Sequence, residues 1–210
     1  MDQTLLQTGE TICFKTAYFG TSRFPFDDRR LVQDYITFIK NQFEIPVDKQ
    51  PDTVPRHRIG IITRNNSRGR KILNEAELKK AISHLATVDI VEFSGKSFKE
   101  QVSMIQRYSV LVGMNGAGLT NAIYLPRTSV AVQLVPYNAS LNFRDFGVWL
   151  SSRGPYLEWH NTHPELSETD KYDVFNNRAN TLVPESEFLK LMTDAISIVD
   201  TRRFREKAEL

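Results

Sequence analysis

The residues best suited to chemistry lie in two loops, and the first of these loops is basic. Residues 63–71 read Thr-Arg-Asn-Asn-Ser-Arg-Gly-Arg-Lys, which places Arg64, Arg68, Arg70 and Lys71 in one stretch. An arginine guanidinium donates two hydrogen bonds to a phosphate at once, so this cluster indicates phosphate binding. A solvated basic loop without a ligand is the alternative that the composition leaves open.

The second loop is rich in glycine, and residues 113–121 read Gly-Met-Asn-Gly-Ala-Gly-Leu-Thr-Asn. Glycine lets backbone N–H groups approach a ligand closely, and a helix that begins here would direct further N–H groups at an anion. The loop lacks the Lys-Ser/Thr pair of a P-loop, and Asn121 stands at the third glycine position of the dinucleotide fingerprint. A tight strand-to-helix turn is the alternative interpretation.

Metal binding is not expected. The single cysteine, Cys13, excludes a multi-cysteine zinc site and an internal disulfide. His160 and His163 stand near Glu158 and Glu165, but in a polar stretch rather than at i, i+4 helical spacing. We therefore expect solvated side chains there rather than a metal site.

Composition excludes several classes of protein. The chain has 210 residues, a formal net charge of +2 and 40% hydrophobic residues. That length suits one large domain or two small ones, and the hydrophobic fraction is too high for a disordered chain. The small net charge argues against a strongly basic nucleic-acid-binding protein, so we expect no nucleic-acid partner. No apolar run is long enough to span a bilayer.

Outside the two loops, strand-like runs alternate with amphipathic helical segments. The predicted strands cover residues 58–62, 88–93, 110–113, 130–135 and 156–159. The predicted helices cover residues 31–43, 74–85, 97–105, 119–125, 142–150 and 188–199. Two of these helices have predicted capping boxes, formed by Asn74 with Glu77 and by Ser97 with Glu100. This alternation predicts an α/β domain with a parallel sheet, whose ligands bind beyond the carboxyl ends of the strands.

Three parts are expected along the chain. Pro46, Pro51 and Pro55 lie among polar residues, which indicates a linker. Residues 1–55 would form a lead-in segment with one helix and this linker. Residues 56–205 would form a domain with a Rossmann-like parallel sheet and flanking helices, and residues 206–210 would form a C-terminal tail.

Taken in order, several of these segments resemble the C-terminal half of family-61 glycosyltransferases. The matching pieces are Cys13-Phe14-Lys15, residues 64–68 with Leu73-Asn74-Glu75, Ser97-Phe98-Lys99-Glu100-Gln101, residues 112–121, and Tyr124-Leu125-Pro126. They keep the family's order and spacing from about Cys13 to about Val199. The family's pattern has a histidine before Gly-Ala-Gly, where this chain has Asn115, which forms hydrogen bonds but cannot take up a proton.

The resemblance implies a GT-B architecture, in which two Rossmann-like domains enclose the active site. This chain would be the donor-binding domain, and the acceptor-side domain with the catalytic base would lie upstream of Met1, lost through truncation or a misassigned start. The implied UDP-sugar-binding residues are Arg64, Arg68, Asn115, Gly116, Ala117, Gly118, Leu119 and Thr120. The two arginines and the amides of residues 116–119 would stabilise the leaving UDP without a metal.

Within the family, the likeness is greatest to members that glycosylate EGF-like domains. The implied reaction is inverting transfer of N-acetylglucosamine from UDP-GlcNAc to Ser or Thr of an EGF-like domain, with no cofactor. The alternatives are a member that uses UDP-xylose or another acceptor, and a nucleotide-sugar-binding remnant without activity. The C-terminal residues Lys207-Ala208-Glu209-Leu210 resemble the K-D-E-L retrieval signal, so we expect the lumen of the endoplasmic reticulum.

Overall fold

The computed structural model of the protein describes residues 29–45, 57–65, 69–139, 150–151, 154–168 and 179–208. Within these ranges the central element is a five-stranded parallel sheet with the strand order β2-β1-β3-β4-β5. The strands are β1 Arg58–Ile62, β2 Thr87–Val91, β3 Val110–Met114, β4 Val130–Val135 and β5 Tyr156–His160. Every residue of β3 and β4 is buried, as in the interior of a parallel sheet covered on both faces. The predicted α/β fold with a Rossmann-like sheet is therefore confirmed.

Helices cover both faces of this sheet. They are α1 Arg29–Gln42, α2 Glu75–Ala81, α3 Phe98–Ile105, the 3₁₀ helix η1 Ala117–Tyr124, and α4 Glu185–Ala208. Apolar residues of α2 and α4 form one core with alternate strand residues, and apolar residues of α1, α3 and η1 form the other. Helix α4 extends well beyond the predicted 188–199, because the buried apolar stripe that a sequence pattern reveals ends at Val199.

One of the two predicted capping boxes is present and the other is wrong. Glu100 N–H donates to Ser97 Oγ over 3.3 Å, and Ser97 N–H donates back to Glu100 Oε2 over 2.7 Å. Asn74 precedes α2 but makes no side-chain cap. Its amide instead bonds both backbone groups of Val183, donating over 2.8 Å and accepting over 3.0 Å. The two bonds satisfy the backbone N–H and C=O of Val183. That residue is far from Asn74 in the sequence, so local spacing could not reveal the contact.

A second backbone contact fixes the end of the basic loop. Lys71 N–H donates to Asn180 Oδ1 over 3.0 Å, and Thr181 N–H donates to Lys71 O over 2.8 Å. Asn180 and Thr181 form β7, which pairs antiparallel with β6 Ser167–Glu168. The described part of the polar region after β5 thus contains a short pair of antiparallel strands. That pair holds the residues that follow Arg70.

Several predicted features lie outside the described residues. They are the segment around Cys13, the proline-containing residues 46–56, and residues 142–149 of the helix predicted over 142–150. Leu150, the last residue of that predicted helix, is helical. Among the helices of the described ranges, none combines the length and apolar character needed to cross a bilayer.

Candidate functional site

Two loops leave the sheet where its strand order reverses. Strand β1 lies between β2 and β3, and Ile62 at the end of β1 pairs with Gly113 of β3. In open parallel sheets, loops that diverge from such a switch point form a crevice in which ligands bind. The basic loop and the glycine loop therefore begin side by side at the carboxyl edge of the sheet.

The two loops come into contact at Arg64 and Gly116. A Cβ added to Gly116 would overlap Arg64 Nη1, so any larger residue would displace the guanidinium. The φ angle of Gly116 is +156°, a conformation that other residues rarely adopt. Glycine is thus needed here for the backbone conformation and for the close approach of a cation. Both residues were predicted as donor-binding residues, and the structure brings them together.

A second cation lies beside the first. Burial lowers the pKa of Arg64, and the nearby Arg70 lowers it further. Burial removes water from the positive form of Arg64 and Arg70 repels it, so both causes make that form less stable here than in water. Holding two guanidinium groups close together in a half-buried site costs free energy that a bound anion would recover.

Arg70 is held by Asn115 of the glycine loop. Its Nη1 donates to Asn115 Oδ1 over 3.2 Å, and its backbone has φ +57°, which is uncommon for a residue other than glycine. Arg70 was predicted as part of the basic loop but not among the donor-binding residues. Residue type alone does not distinguish Arg70 from Arg68 as a donor-binding residue, because both are arginines in the same polar stretch. Arg68 lies outside the described residues.

Gln133 continues this chain of contacts into the sheet. Asn115 Nδ2 donates to Gln133 Oε1 over 3.4 Å, and Asn115 N–H donates to the backbone oxygen of Leu134 over 3.0 Å. Gln133 is 0% exposed, and its Nε2 has no hydrogen-bond partner among the described residues. Gln133 was not predicted as a site residue, although a single polar side chain in the apolar strand 130–135 is a signal that could have found it.

The remaining predicted residues lie in the first turns of η1. Leu119 N–H donates to Gly116 O over 2.9 Å, and Thr120 Oγ1 donates to Ala117 O over 2.5 Å. The Leu119 amide and the Thr120 hydroxyl therefore stabilise the turn itself. Ala117 is exposed, and Gly118 is half-buried beside a cleft.

A cleft of about 170 Å³ adjoins Arg64 at the carboxyl ends of β1 and β2. It is lined by Ile62, Thr63, Arg64, Glu92, Phe93, Ser94 and Gly118. A Cβ on Gly118 would lie 3.3 Å from Ile62 Cγ2 and 3.5 Å from the Phe93 ring, so a small residue keeps this wall open. The cleft was not predicted, because its lining residues come from three separate segments of the chain.

Glu75, the first residue of α2, fixes the backbone beneath Arg64. Its carboxylate accepts hydrogen bonds from the Thr63 side chain and the Arg64 N–H. Burial raises the pKa of Glu75 despite these two bonds, and the nearby Glu92 raises it further. The site thus combines Arg64 and Arg70 with the carboxyl groups of Glu75 and Glu92.

His160, the last residue of β5, and His163, which follows it, each form a separate exposed pair with a glutamate. His160 Nε2 lies 3.0 Å from Glu158 Oε1, and His163 Nδ1 lies 3.0 Å from Glu165 Oε1. In the part of the chain that the structure describes, no three potential metal-binding side chains of His, Cys, Asp or Glu cluster together.

Comparison with known proteins identifies the family. Residues 12–132, more than half of the chain, match the family Glycosyltransferase 61. The match includes both loops of the site. A protein O-linked-mannose beta-1,4-N-acetylglucosaminyltransferase 2 from Bos taurus is 32% identical over 116 residues, which cover 52% of this chain and 20% of that protein.

Two further relatives carry different names. An EGF domain-specific O-linked N-acetylglucosamine transferase from Xenopus laevis is 28% identical over 167 residues, which cover 73% of this chain and 30% of that protein. A beta-1,2-xylosyltransferase from Oryza sativa subsp. japonica is 30% identical over 143 residues, which cover 60% of this chain and 24% of that protein. The chain thus spans a third or less of the length of these relatives. From the family match, which covers both site loops, the chain belongs to glycosyltransferase family 61.

Proposed function

We propose that this chain binds the diphosphate of a nucleotide-sugar donor between the loops that follow β1 and β3. The observation that carries the proposal is the placement of Arg64 against Gly116, with Arg70 close enough to lower the pKa of Arg64. An anion with several oxygens is the ligand that two adjacent guanidinium groups bind best. The switch point of an open α/β sheet is also where such ligands bind in general.

The same geometry suits the departure of a nucleoside diphosphate. In glycosyl transfer the bond between the sugar carbon and the diphosphate oxygen breaks, while a bond to the acceptor hydroxyl oxygen forms. The hydroxyl proton passes to a base, which the described residues do not identify. Negative charge grows on the leaving diphosphate, and donors fixed beforehand, such as Arg64 and Arg70, stabilise that charge. These cations could supply the positive charge without a metal.

For the donor and acceptor, the proposal is transfer of N-acetylglucosamine from UDP-GlcNAc to Ser or Thr of an EGF-like domain. It is supported by the Xenopus laevis relative, whose name states an EGF-domain-specific O-linked N-acetylglucosamine transferase and which aligns with 73% of this chain. In this account the chain forms the donor half of a GT-B enzyme. The endoplasmic reticulum lumen stays a prediction, since Glu209 and Leu210 lie outside the described residues.

A second candidate donor is UDP-xylose. The Oryza sativa relative is named a beta-1,2-xylosyltransferase and is 30% identical over 143 residues. The two donors share UDP and differ in the sugar, so the diphosphate site serves both equally well.

A calorimetric titration with UDP-GlcNAc, UDP-xylose and GDP-mannose tests the proposal. We expect saturable binding of both UDP-sugars and tighter binding of UDP-GlcNAc. Tighter binding of UDP-xylose would support the second candidate. A folded chain that binds none of the three would contradict a nucleotide-sugar site.

A further inference from the structure

Apart from Arg64 and one glycine, the residues that line the cleft are not assigned to diphosphate binding. Arg64 both lines this cleft and contacts Gly116, so a ligand in the cleft would be continuous with a diphosphate between the loops. Beyond Arg64 the lining changes in character. It includes the apolar Ile62 and Phe93 and the acidic Glu92.

We propose that this cleft holds the nucleoside of the donor, with Glu92 accepting hydrogen bonds from the ribose hydroxyls and Phe93 packing against the base. The inference rests on the proposed function, because it assigns the part of the donor that lies next to the bound diphosphate. It makes Glu92 a residue that selects a ribonucleotide.

The position of Glu92 supports a ribose contact. A carboxylate only accepts hydrogen bonds when ionised, and its two oxygens match a pair of neighbouring hydroxyls. Glu92 directly follows β2, while the phosphate-binding loop follows β1. In dinucleotide-binding sheets an acidic side chain in this relation to the phosphate loop bonds the ribose hydroxyl. The present sheet has the same two neighbouring parallel strands, Ile62 pairing with Val91 at their carboxyl ends.

The apolar wall favours a base over the donor's sugar. A pyranose carries hydroxyls around its ring, and each one needs a polar partner when it is buried. A nucleobase has a flat face that apolar and aromatic side chains cover without leaving polar groups unpaired. Ile62 and the Phe93 ring provide such a surface, and the absence of a side chain on Gly118 leaves room beside them.

The charges in the cleft also limit the ligand. Glu92 lies close enough to Glu75 to raise the pKa of Glu75, so this side of Arg64 carries negative charge. A phosphate on the ribose would face repulsion from that charge, whereas a free diol would not. The cleft therefore fits an unmodified ribose.

The test compares UDP, 2′-deoxy-UDP and inorganic diphosphate as ligands of the whole chain and of Glu92→Ala, by calorimetry. The unchanged protein should prefer UDP to 2′-deoxy-UDP by about tenfold, since a hydrogen bond to a charged group is lost with the 2′-hydroxyl. In Glu92→Ala the affinities for UDP and 2′-deoxy-UDP should become about equal. Inorganic diphosphate should bind the variant at least as tightly as it binds the unchanged protein. Glu77→Ala, which removes an exposed acid from the same turn of α2 as Glu75, is the control and should keep the preference.

The outcomes separate this inference from the proposed function. If inorganic diphosphate and UDP both fail to bind the folded chain, the proposed function is wrong. If both bind but Glu92→Ala keeps the preference for UDP over 2′-deoxy-UDP, the nucleoside assignment is wrong. The same titrations include UDP-GlcNAc. If Glu92→Ala changes the ratio of UDP-GlcNAc to UDP affinity and leaves the ribose preference unchanged, the sugar occupies the cleft and the inference is overturned.

Discussion

At the scale of single residues, the site depends on contacts between side chains that are far apart in the sequence. Arg64 fits only because Gly116 has no Cβ, and Arg70 is oriented by Asn115, which is in turn bonded to Gln133. Asn115 stands where the family's pattern has histidine. Its amide serves here as a hydrogen-bonding link between a cation and the sheet, a role that needs no proton uptake.

The first prediction concerns Gly116→Ala. The added Cβ would displace the Arg64 guanidinium, so UDP affinity should fall about tenfold or more through loss of a charged hydrogen-bonding partner. Gly95→Ala is the matched control, because Gly95 also has positive φ, at +71°, but has no neighbour within 4 Å of the added Cβ. Both variants should lose about 1 kcal/mol of unfolding free energy from backbone strain, measured by urea denaturation. Equal UDP affinity in the two variants would show that the contact with Arg64 does not matter for binding.

At the scale of elements, the basic loop and the start of α2 are positioned by their attachment to the segment that precedes α4. Asn74 bonds both backbone groups of Val183, and Lys71 is bonded to Asn180 and Thr181. The basic loop is therefore held at its far end by residues more than a hundred positions later, and α2 starts from a fixed point. This arrangement explains how Arg70 keeps an unfavourable backbone conformation.

The second prediction compares Asn74→Ala with Ser97→Ala. Loss of the Asn74 amide leaves the buried N–H and C=O of Val183 without partners, which should cost about 2–4 kcal/mol of unfolding free energy. Loss of the Ser97 cap on the exposed start of α3 should cost only about 1 kcal/mol. Urea denaturation of both variants measures the difference. A larger loss for Ser97→Ala would mean that Asn74 does not join α2 to the residues before α4.

At the scale of the whole molecule, the sheet separates two polar clusters. The candidate site lies at the carboxyl ends of the strands. At the amino ends, His57 Nε2 lies 3.1 Å from Asp200 of α4, and Arg203 donates to Ser109 over 3.0 Å. Burial lowers the pKa of His57 from 6.5, and Arg203 lowers it further, while Asp200 opposes both. Burial prevails because Asp200 is 60% exposed, so water screens its attraction.

The third prediction follows from that lowered pKa. As the pH falls below 6.5, the unfolded chain takes up a proton at His57 before the folded chain does. Stability from the neutral imidazole is therefore complete above the unfolded pKa and is lost between pH 6.5 and the lower folded pKa. His57→Gln should flatten this part of the curve of unfolding free energy against pH. A curve of unchanged slope would show that His57 has the same proton affinity in both states, and UDP binding at the opposite edge should be unaffected.

The sequence predicted the strands and the two loops more fully than the contacts between them. Strands β1, β3 and β4 were recognisable because helices cover both faces of the sheet, which leaves continuous apolar runs. Arg64 and Gly116 were recognisable from residue type. The cap predicted at Asn74 was wrong, and Gln133 and the cleft at Glu92 were missed, because each depends on a partner brought in by the fold. Spacing along a chain carries no information about such partners.

The most direct measurement of the central claim is the affinity of UDP and of uridine for the unchanged chain and for Arg64→Ala. If Arg64 binds the diphosphate, UDP affinity should fall about tenfold to a hundredfold, and uridine affinity should stay the same. Arg127→Ala is the control, because Arg127 is exposed and precedes β4 at the opposite edge of the sheet, and it should change neither affinity. An equal loss for UDP and uridine, or no loss for UDP, would contradict a diphosphate site between the loops after β1 and β3.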